Sequence, residues 1–306
     1  SGAIGFPTAG QGGSLPFEPT PTCNSPVDAW IAFDAVAPDL NRDLYVVRPD
    51  GSQLTRITAD PSVEKEPFFA PTGDRLSFTS DRDGSAQVYV MDLETFAVTQ
   101  VTHRPEGADQ SSFSPDGQLL AFHSGASVYT IHLDGTNETL VATGLDTFNA
   151  YFSPRFIGDT QLVFDRNNEV DAINVDQTQL HYIVEAASAM IVAPTVSPAN
   201  DEIAYAGECF GEQGLSIWTV PIDSVSKLCS GGRVTPLHDP LNNSRPSWGP
   251  AGTFAYQRVD PSTSIGRITL NTRTTGSTPC SLTPVGQDSR NPSWSAVGQQ
   301  LSPPAL

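Results

Sequence analysis

The sequence predicts an all-β protein: a six-bladed β-propeller of four-stranded blades, with the ring closed by a C-terminal strand that completes the first blade. Three observations predict it. One short phrase recurs six times at a spacing that suits a propeller blade. No stretch of useful length carries helical periodicity, and 25 Gly and 26 Pro in 306 residues supply many turns. The two ends of the repeat array each hold a fragment of a blade, and the fragments are complementary.

The repeated phrase is FAPTGDRLSF from Phe69, FSPDGQLLAF from Phe113, FSPRFIGDTQLVF from Phe152, VSPANDEIAY from Val196, WGPAGTFAY from Trp248 and WSAVGQQLS from Trp294. Its marker falls on Pro71, Pro115, Pro154, Pro198, Pro250 and Ala296, in steps of 44, 39, 44, 52 and 46 residues. In each copy an aromatic or β-branched residue ends one strand, a turn of the Ser-Pro-Asp-Gly kind reverses the chain, and an alternating apolar strand follows. A polar loop such as Ser80-Asp81-Arg82-Asp83-Gly84, a third strand near Gln87 to Met91 and a fourth near Val98 to Thr102 complete the unit. The first blade opens at its second strand, WIAF from Trp30, with no first strand of its own. The last copy, RNPSWSAVGQQL at Arg290 to Leu301, is a first strand with no blade after it. Joining the two closes the ring and removes an open edge.

Residues 1–29 are dense in Gly and Pro and have no hydrophobic period, so they are expected to form an extended arm ahead of a propeller spanning 30–306. Two readings of the arm stand side by side: a leader or spacer, and a strap along the body pinned near Cys23. The chain opens without a signal peptide, which reads as a processed or trimmed start.

Sixteen Lys and Arg against 34 Asp and Glu give a formal charge of −18, and the basic residues are scattered. That balance repels phosphate backbones and argues against a nucleic-acid partner or an anionic membrane surface. The longest apolar runs are of strand length, so no membrane span is expected. The four cysteines, Cys23, Cys209, Cys229 and Cys280, show no zinc-ligand spacing, and their even number suits an oxidising compartment, periplasmic, cell-surface or secreted. In a blade, the chain entering strand two and the loop joining strands three and four lie on one face, which predicts a Cys23–Cys280 bridge reinforcing closure. Cys209 and Cys229 start from opposite ends of their blade and can meet only through the long insertion there.

With the repeats aligned, FAPTGDRLSFTSDRDGSAQVYVMD, FSPDGQLLAFHSGASVYTIHLDG and RDLYVVRPDGSQLTRIT resemble the TolB-type propeller repeat, and the resemblance extends over roughly residues 30–302. It implies architecture and, through relatives that receive a partner's peptide in the central channel, protein binding within an envelope or surface assembly. It carries no enzymatic assignment. No G-x-S-x-G elbow, H-E-x-x-H, P-loop or dinucleotide fingerprint occurs, so no catalytic residue, metal or cofactor is assigned. His123, His132 and His181 read as packing or surface residues, and His103 and His238 as loop histidines. Asp81, Asp83, Asp116 and Asp134 read as turn acceptors rather than calcium ligands.

First strands line a propeller's channel, so ligand contacts are sought at equivalent positions near its rim. Three residues before each marker aromatic stand Glu66, Gln110, Asn149, Ala193, Arg245 and Asn291; one residue earlier the ring includes Lys65, Asp109 and Arg290. The positions are mostly polar and differ from blade to blade, as a recognition surface would. Arg245 and Arg290 are the candidates to grip a carboxylate, while Glu66, Asp109, Gln110 and Asn149 are candidates for a peptide backbone or, in the alternative reading of a carbohydrate-binding or sugar-lyase propeller, for sugar hydroxyls.

Overall fold

A computed structural model describes residues 23, 25, 27–143, 153–166, 169–185, 191–208, 214–223, 225–235, 241–272, 279–284, 287–299 and 301–302. Its strands form six sheets, each antiparallel from the first strand to the fourth. Blade I joins β1 (Ile31–Val36), β2 (Arg42–Val47) and β3 (Thr55–Arg56) to the last strand, β25 (Ser289–Trp294). Blade II is β4 (Glu64–Phe69), β5 (Arg75–Ser80), β6 (Gln87–Asp92) and β7 (Val98–Gln100). Blade III is β8 (Asp109–Phe113), β9 (Leu119–Ser124), β10 (Ser127–His132) and β11 (Thr139–Thr143). Blade IV is β12 (Arg155–Ile157), β13 (Gln161–Arg166), β14 (Glu169–Asn174) and β15 (His181–Glu185), with β19 (Ser226–Lys227) added in parallel at its outer edge. Blade V is β16 (Ile191–Val196), β17 (Glu202–Glu208), β18 (Leu215–Pro221) and β20 (Gly232–Arg233). Blade VI is β21 (Asn242–Trp248), β22 (Thr253–Val259), β23 (Gly266–Thr272) and β24 (Cys280–Ser281).

The core lies between blades, and strand alternation builds it. Ile31, Phe33 and Ala35 of β1 pack toward blade VI, on Ala255, Ile268 and Leu270, while Trp30 and Ala32 pack toward blade II, on Leu76, Phe78 and Tyr89. The same pairing of large on small recurs around the ring. The aromatic of one second strand meets the small residue just before the aromatic of the preceding blade: Phe33 with Ala255, Phe78 with Ala32, Phe164 with Ala121, Tyr205 with Val163 and Tyr256 with Ala204. A bulky residue at any of those small positions would overfill a close-packed joint. The apolar strand of the repeat, LAF in its plainest form, is thus a small-aromatic pair that serves two neighbours at once.

Two details refine the expected layout. In blade IV the register pairs Phe156 with Leu162, just as Phe113 pairs with Leu120 and Phe69 with Leu76. The marker of that blade is therefore Phe156, not Phe152, and its turn is centred on Gly158, where φ is +55°. In blade V the long connection between β18 and β20 does not stay in its own blade. It sends β19 across to pair with β15 and packs Leu228 and Cys229 into the joint between blades IV and V.

Closure is as expected, with β25 paired to β1 and a Cys23–Cys280 disulfide, Cα–Cα 5.4 Å, joining residues 257 apart. Cys229 is also disulfide-bonded; Cys209 lies outside the described residues, as do His238 and most of the 1–29 arm, of which only residues 23, 25 and 27–29 are described. Asp116 and Asp134 accept the N–H two residues on, from Gln118 at 3.0 Å and Thr136 at 2.9 Å. No helix among the described residues is long and apolar enough to cross a membrane.

A bridge closing so long a loop should stabilise the fold by up to about 5 kcal/mol through the unfolded chain. The Cys23→Ser, Cys280→Ser double variant is expected to melt roughly 5 to 8 °C lower in calorimetry. An unchanged midpoint would show that β25–β1 pairing alone holds the ring.

Candidate functional site: the central channel

In five of the six blades the described first strand breaks step with its second strand at one place. The register slips between Lys65 and Phe68, Asp109 and Ser112, Val192 and Thr195, and Ser244 and Ser247; β1 slips against β25 between Ala32 and Asp34. At every slip the residue three before the marker sits in the left-handed region: Glu66 at φ +58°, Gln110 at +55°, Ala193 at +55°, Arg245 at +49° and Asn291 at +53°. None is glycine, so each carries a conformational cost on the order of 1 kcal/mol that the surrounding contacts must offset. The next residue is Pro67, Pro194, Pro246 or Pro292, with Ser111 the exception. Proline has no N–H to strand at a bulge, which suits it to this position.

At two of the kinks the preceding blade takes up the N–H of the kinked residue: Asp34 of blade I accepts from Glu66 N at 2.9 Å and Glu66 of blade II from Gln110 N at 3.3 Å, while in blade IV Asp165 lies close to Ala193 N. Side chains add to the chain of bonds. Asn291 donates to Asp34 at 2.6 Å, Thr79 to Glu66 at 3.1 Å, and the Ser153 hydroxyl to Gln110 Oε1 at 3.2 Å. Nearer the marker, Phe69 N donates to the Ser293 hydroxyl at 3.0 Å and Trp294 N to that of Ser247 at 3.3 Å. The inner wall is thus stitched blade to blade by polar contacts.

The expected rim residues fall into two levels. Lys65, Asp109 and Arg290 are half-exposed at the mouth. Lys65 lies 4.0 Å from Asp109 and 3.7 Å from Glu66, Asp109 bonds His123 Nδ1 at 2.7 Å, and Arg290 pairs with Asp288 at 3.0 Å. Glu66 and Gln110 are buried one level down, where Arg245 and Asn291 also line the channel. Arg245 and Arg290, expected to act together, are engaged apart: Arg245 approaches Glu66 at 3.9 Å while Arg290 turns to Asp288. Asn149 lies outside the described residues, and with Phe156 as the marker the position three back is Ser153, which bonds Gln110.

Below this level the channel narrows to a cavity of about 30 Å³ lined by Glu66, Gln110, Arg155, Arg245, Asn291 and Pro292 among others. Arg155 stands at the position just before the marker, where other blades carry Ser112, Thr195, Ser247 and Ser293. Its guanidinium lies 4.7 Å from the ring centroid of Phe68, two blades away, and together the two side chains partition the waist from a wider funnel. That funnel, about 500 Å³, is lined by Phe69, Phe113, Phe156, Trp248 and Trp294.

The waist is electrostatically tight. Burial, and then the like charge of Arg245, hold the Arg155 pKa down to about 10. Burial pushes the Asp165 carboxyl up to about 7, against the neighbouring backbone N–H groups and the charges of Arg245 and Arg155. At His123 burial pulls the pKa down, but the hydrogen bond and charge of Asp109 and the Gly125 carbonyl outweigh it and the net shift is upward. Among the described residues no group of three or more His, Cys, Asp or Glu stands at metal-binding spacing.

Sequence reading missed Arg155, Asp165 and Asp34. The displaced marker hid Arg155, yet a signal was present: the marker stands nine residues before the second-strand aromatic in Phe69–Phe78, Phe113–Phe122 and Val196–Tyr205, and twelve before it if Phe152 is taken. Asp34 and Asp165 were legible as the residue that directly follows the second-strand aromatic, Phe33 and Phe164.

Asp165, Glu64, Asp43 and Asp171 all have pKa values raised by burial, to about 7, 7, 6 and 6. A carboxyl raised in the folded state adds stability as pH falls through its folded value toward the unfolded one near 4. The denaturation midpoint should therefore rise between pH 8 and pH 5, then fall below about pH 4 as Asp39, Asp60, Asp92 and Asp288, whose pKa values are lowered, lose their charges. Asp165→Asn should flatten the rise between pH 8 and 5; an unaltered profile would remove Asp165 from the titrating set.

Comparison with known proteins agrees with the geometry. The model of the TolB beta propeller domain matches residues 23–170. The chain is 33% identical over 72 residues to the protein TolB homolog of Chlorobium luteolum, which is 24% of this chain and 15% of that protein. It is 42% identical over 52 residues to the Tol-Pal system protein TolB of Bordetella pertussis, 17% of this chain and 12% of that one. The aligned segments thus span a small part of these relatives. Among solved structures, TolB from Acinetobacter baumannii superposes with a TM-score of 0.72 at 16% identity, covering 89% of this chain and 68% of that one. The six four-stranded blades show that the chain is a six-bladed β-propeller, and over residues 23–170 it resembles the TolB beta propeller domain.

Proposed function

We propose that this chain is a non-catalytic extracytoplasmic propeller, periplasmic, cell-surface or secreted, that receives a segment of a partner protein at the channel mouth within an envelope or surface assembly. The observation that carries the reading is the mouth itself. Lys65, Asp109, Ser244 and Arg290 occupy equivalent positions, differ in charge and keep part of their surface open, above an inner ring whose backbone is pinned by Asp34 and Glu66. A preorganised polar ring of this kind binds a segment with little loss of its own freedom.

Other features support binding over catalysis. His123, the mouth histidine, has Nδ1 on Asp109 at 2.7 Å and Nε2 on the Gly125 carbonyl at 2.9 Å, so neither ring nitrogen is poised for a substrate proton. The Cys23–Cys280 disulfide supports an oxidising compartment. The name of the Bordetella relative places that protein in a Tol-Pal system, which supports an assembly role here.

Photo-cross-linking in the native host tests the proposal. A benzoylphenylalanine at Ser244 or Asp109 should give a discrete protein adduct, and the same probe at Leu140, exposed on the outer edge strand of blade III, should not. Lys65→Ala with Arg290→Ala should cut the Ser244 adduct severalfold while moving the melting midpoint by less than about 2 °C, since both are half-exposed. Equal adducts at mouth and edge, or an adduct indifferent to the double variant, would contradict it.

A further inference from the structure

We infer that the channel waist is a carboxylate-binding site in which Arg155 and Arg245 receive the acidic head of a bound segment, an Asp or Glu side chain or a chain terminus. The inference rests on the channel-mouth reading above and names the chemistry that its deepest point selects.

Geometry carries it. Arg155 projects from β12 into a cavity that Arg245 also lines, and the two guanidinium groups share one small space. Of the five N–H donors of a guanidinium, Arg155 has one placed, on the Pro154 carbonyl at 2.8 Å, and one face of the group stacks on Phe68. Arg245 has Glu66 Oε1 at 3.9 Å, beyond hydrogen-bonding distance. Glu66 is not free to do more, because its other oxygen is held by the Thr79 hydroxyl at 3.1 Å and Gln110 N at 3.3 Å. Glu66 and the buried Asp165 are near enough to interact with these charges, but among the described residues no carboxylate is hydrogen-bonded to either guanidinium, so two planar charged forks face one cavity with donors still to place. A carboxylate seated there can bond both forks, and such charge-assisted bidentate pairs are the strong ones.

The walls favour a carboxylate on an aliphatic stem over a bare inorganic ion. Pro67, Pro246 and Pro292 form an apolar collar around the cavity, and a volume of about 30 Å³ has room for a head group in place of about two waters. Entry is from the mouth, since Phe68 and Arg155 close the waist toward the funnel. The approach passes Lys65 and Arg290, beside Asp109 and Asp288, so although the chain carries −18 overall the path to the two arginines is close to charge balance.

Small probes test the site apart from any partner. The whole chain is titrated in chloride-free buffer with propionate, propionamide and inorganic phosphate, following the arginine side-chain N–H resonances and the melting midpoint. Propionate is expected to bind in the millimolar range, with propionamide giving no shift and phosphate binding at least about tenfold more weakly. Arg155→Met and Arg245→Met should each weaken propionate at least about tenfold. Arg155→Lys and Arg245→Lys, which keep the charge and lose the fork, give the same reading if a methionine variant fails to fold. N-acetyl-alanine and N-acetyl-glutamate amide then separate a chain terminus from an acidic side chain. Propionate that fails to bind, that binds no better than its amide or than phosphate, or that ignores all four substitutions would overturn the carboxylate site. A mouth cross-link that persists in the Arg155 variants alongside such a failure would leave the partner-binding reading standing.

Discussion

The channel depends on one recurring backbone event. In each described bulge of a first strand, a residue other than glycine is held at positive φ, which turns the strand and withdraws an N–H from the ladder. A buried amide without a partner is expensive, so where a carboxylate of the preceding blade reaches it, as Asp34 reaches Glu66 N, the kink becomes affordable and the two blades are tied at the axis. Strain, polar wall and ring order are then one arrangement. Removing the carboxylate would relax the kink and re-aim every side chain it presents to the channel.

The rest of the ring follows from packing rather than hydrogen bonds. At four joints an aromatic of one second strand shares a cluster with an alanine of the previous one, and at the joint between blades IV and V with Val163, so the blades stack closely and the last meets the first. The β25–β1 pairing fastens that meeting at the inner strands of blade I, and the Cys23–Cys280 bridge ties the segment ahead of β1 to β24, the outer strand of blade VI. Because the apolar load lies between blades, the channel is left free to be polar, and it can vary from blade to blade without loss of core.

Much of this was legible in the sequence for a physical reason. The marker aromatic, the turn and the small-aromatic strand are fixed by the joint that every blade must make, so they repeat and can be counted. The split first blade was legible for the same reason: WIAF and RNPSW are two parts of one repeat unit. What was not legible was set by tertiary context. Spacing located Glu66, Gln110, Arg245 and Asn291, but their positive φ values depend on pairing two strands out of register, which no local propensity reveals. Arg155 was hidden by the Phe152-Ser153-Pro154 phrase, which places the marker four residues early, and β19 by an insertion that leaves its own blade to cover the edge of another.

The central claim is that the channel wall is preorganised to hold a partner's segment, with its charged waist as the deepest contact. A cryo-EM or crystal map of the protein purified from its native source tests this most directly. The account predicts extended density at the mouth, beside Lys65, Asp109 and Arg290, reaching the space between Arg155 and Arg245. A channel holding only water, with those two arginines turned onto Asp165 or Glu66 and density for a partner elsewhere on the ring, would contradict it.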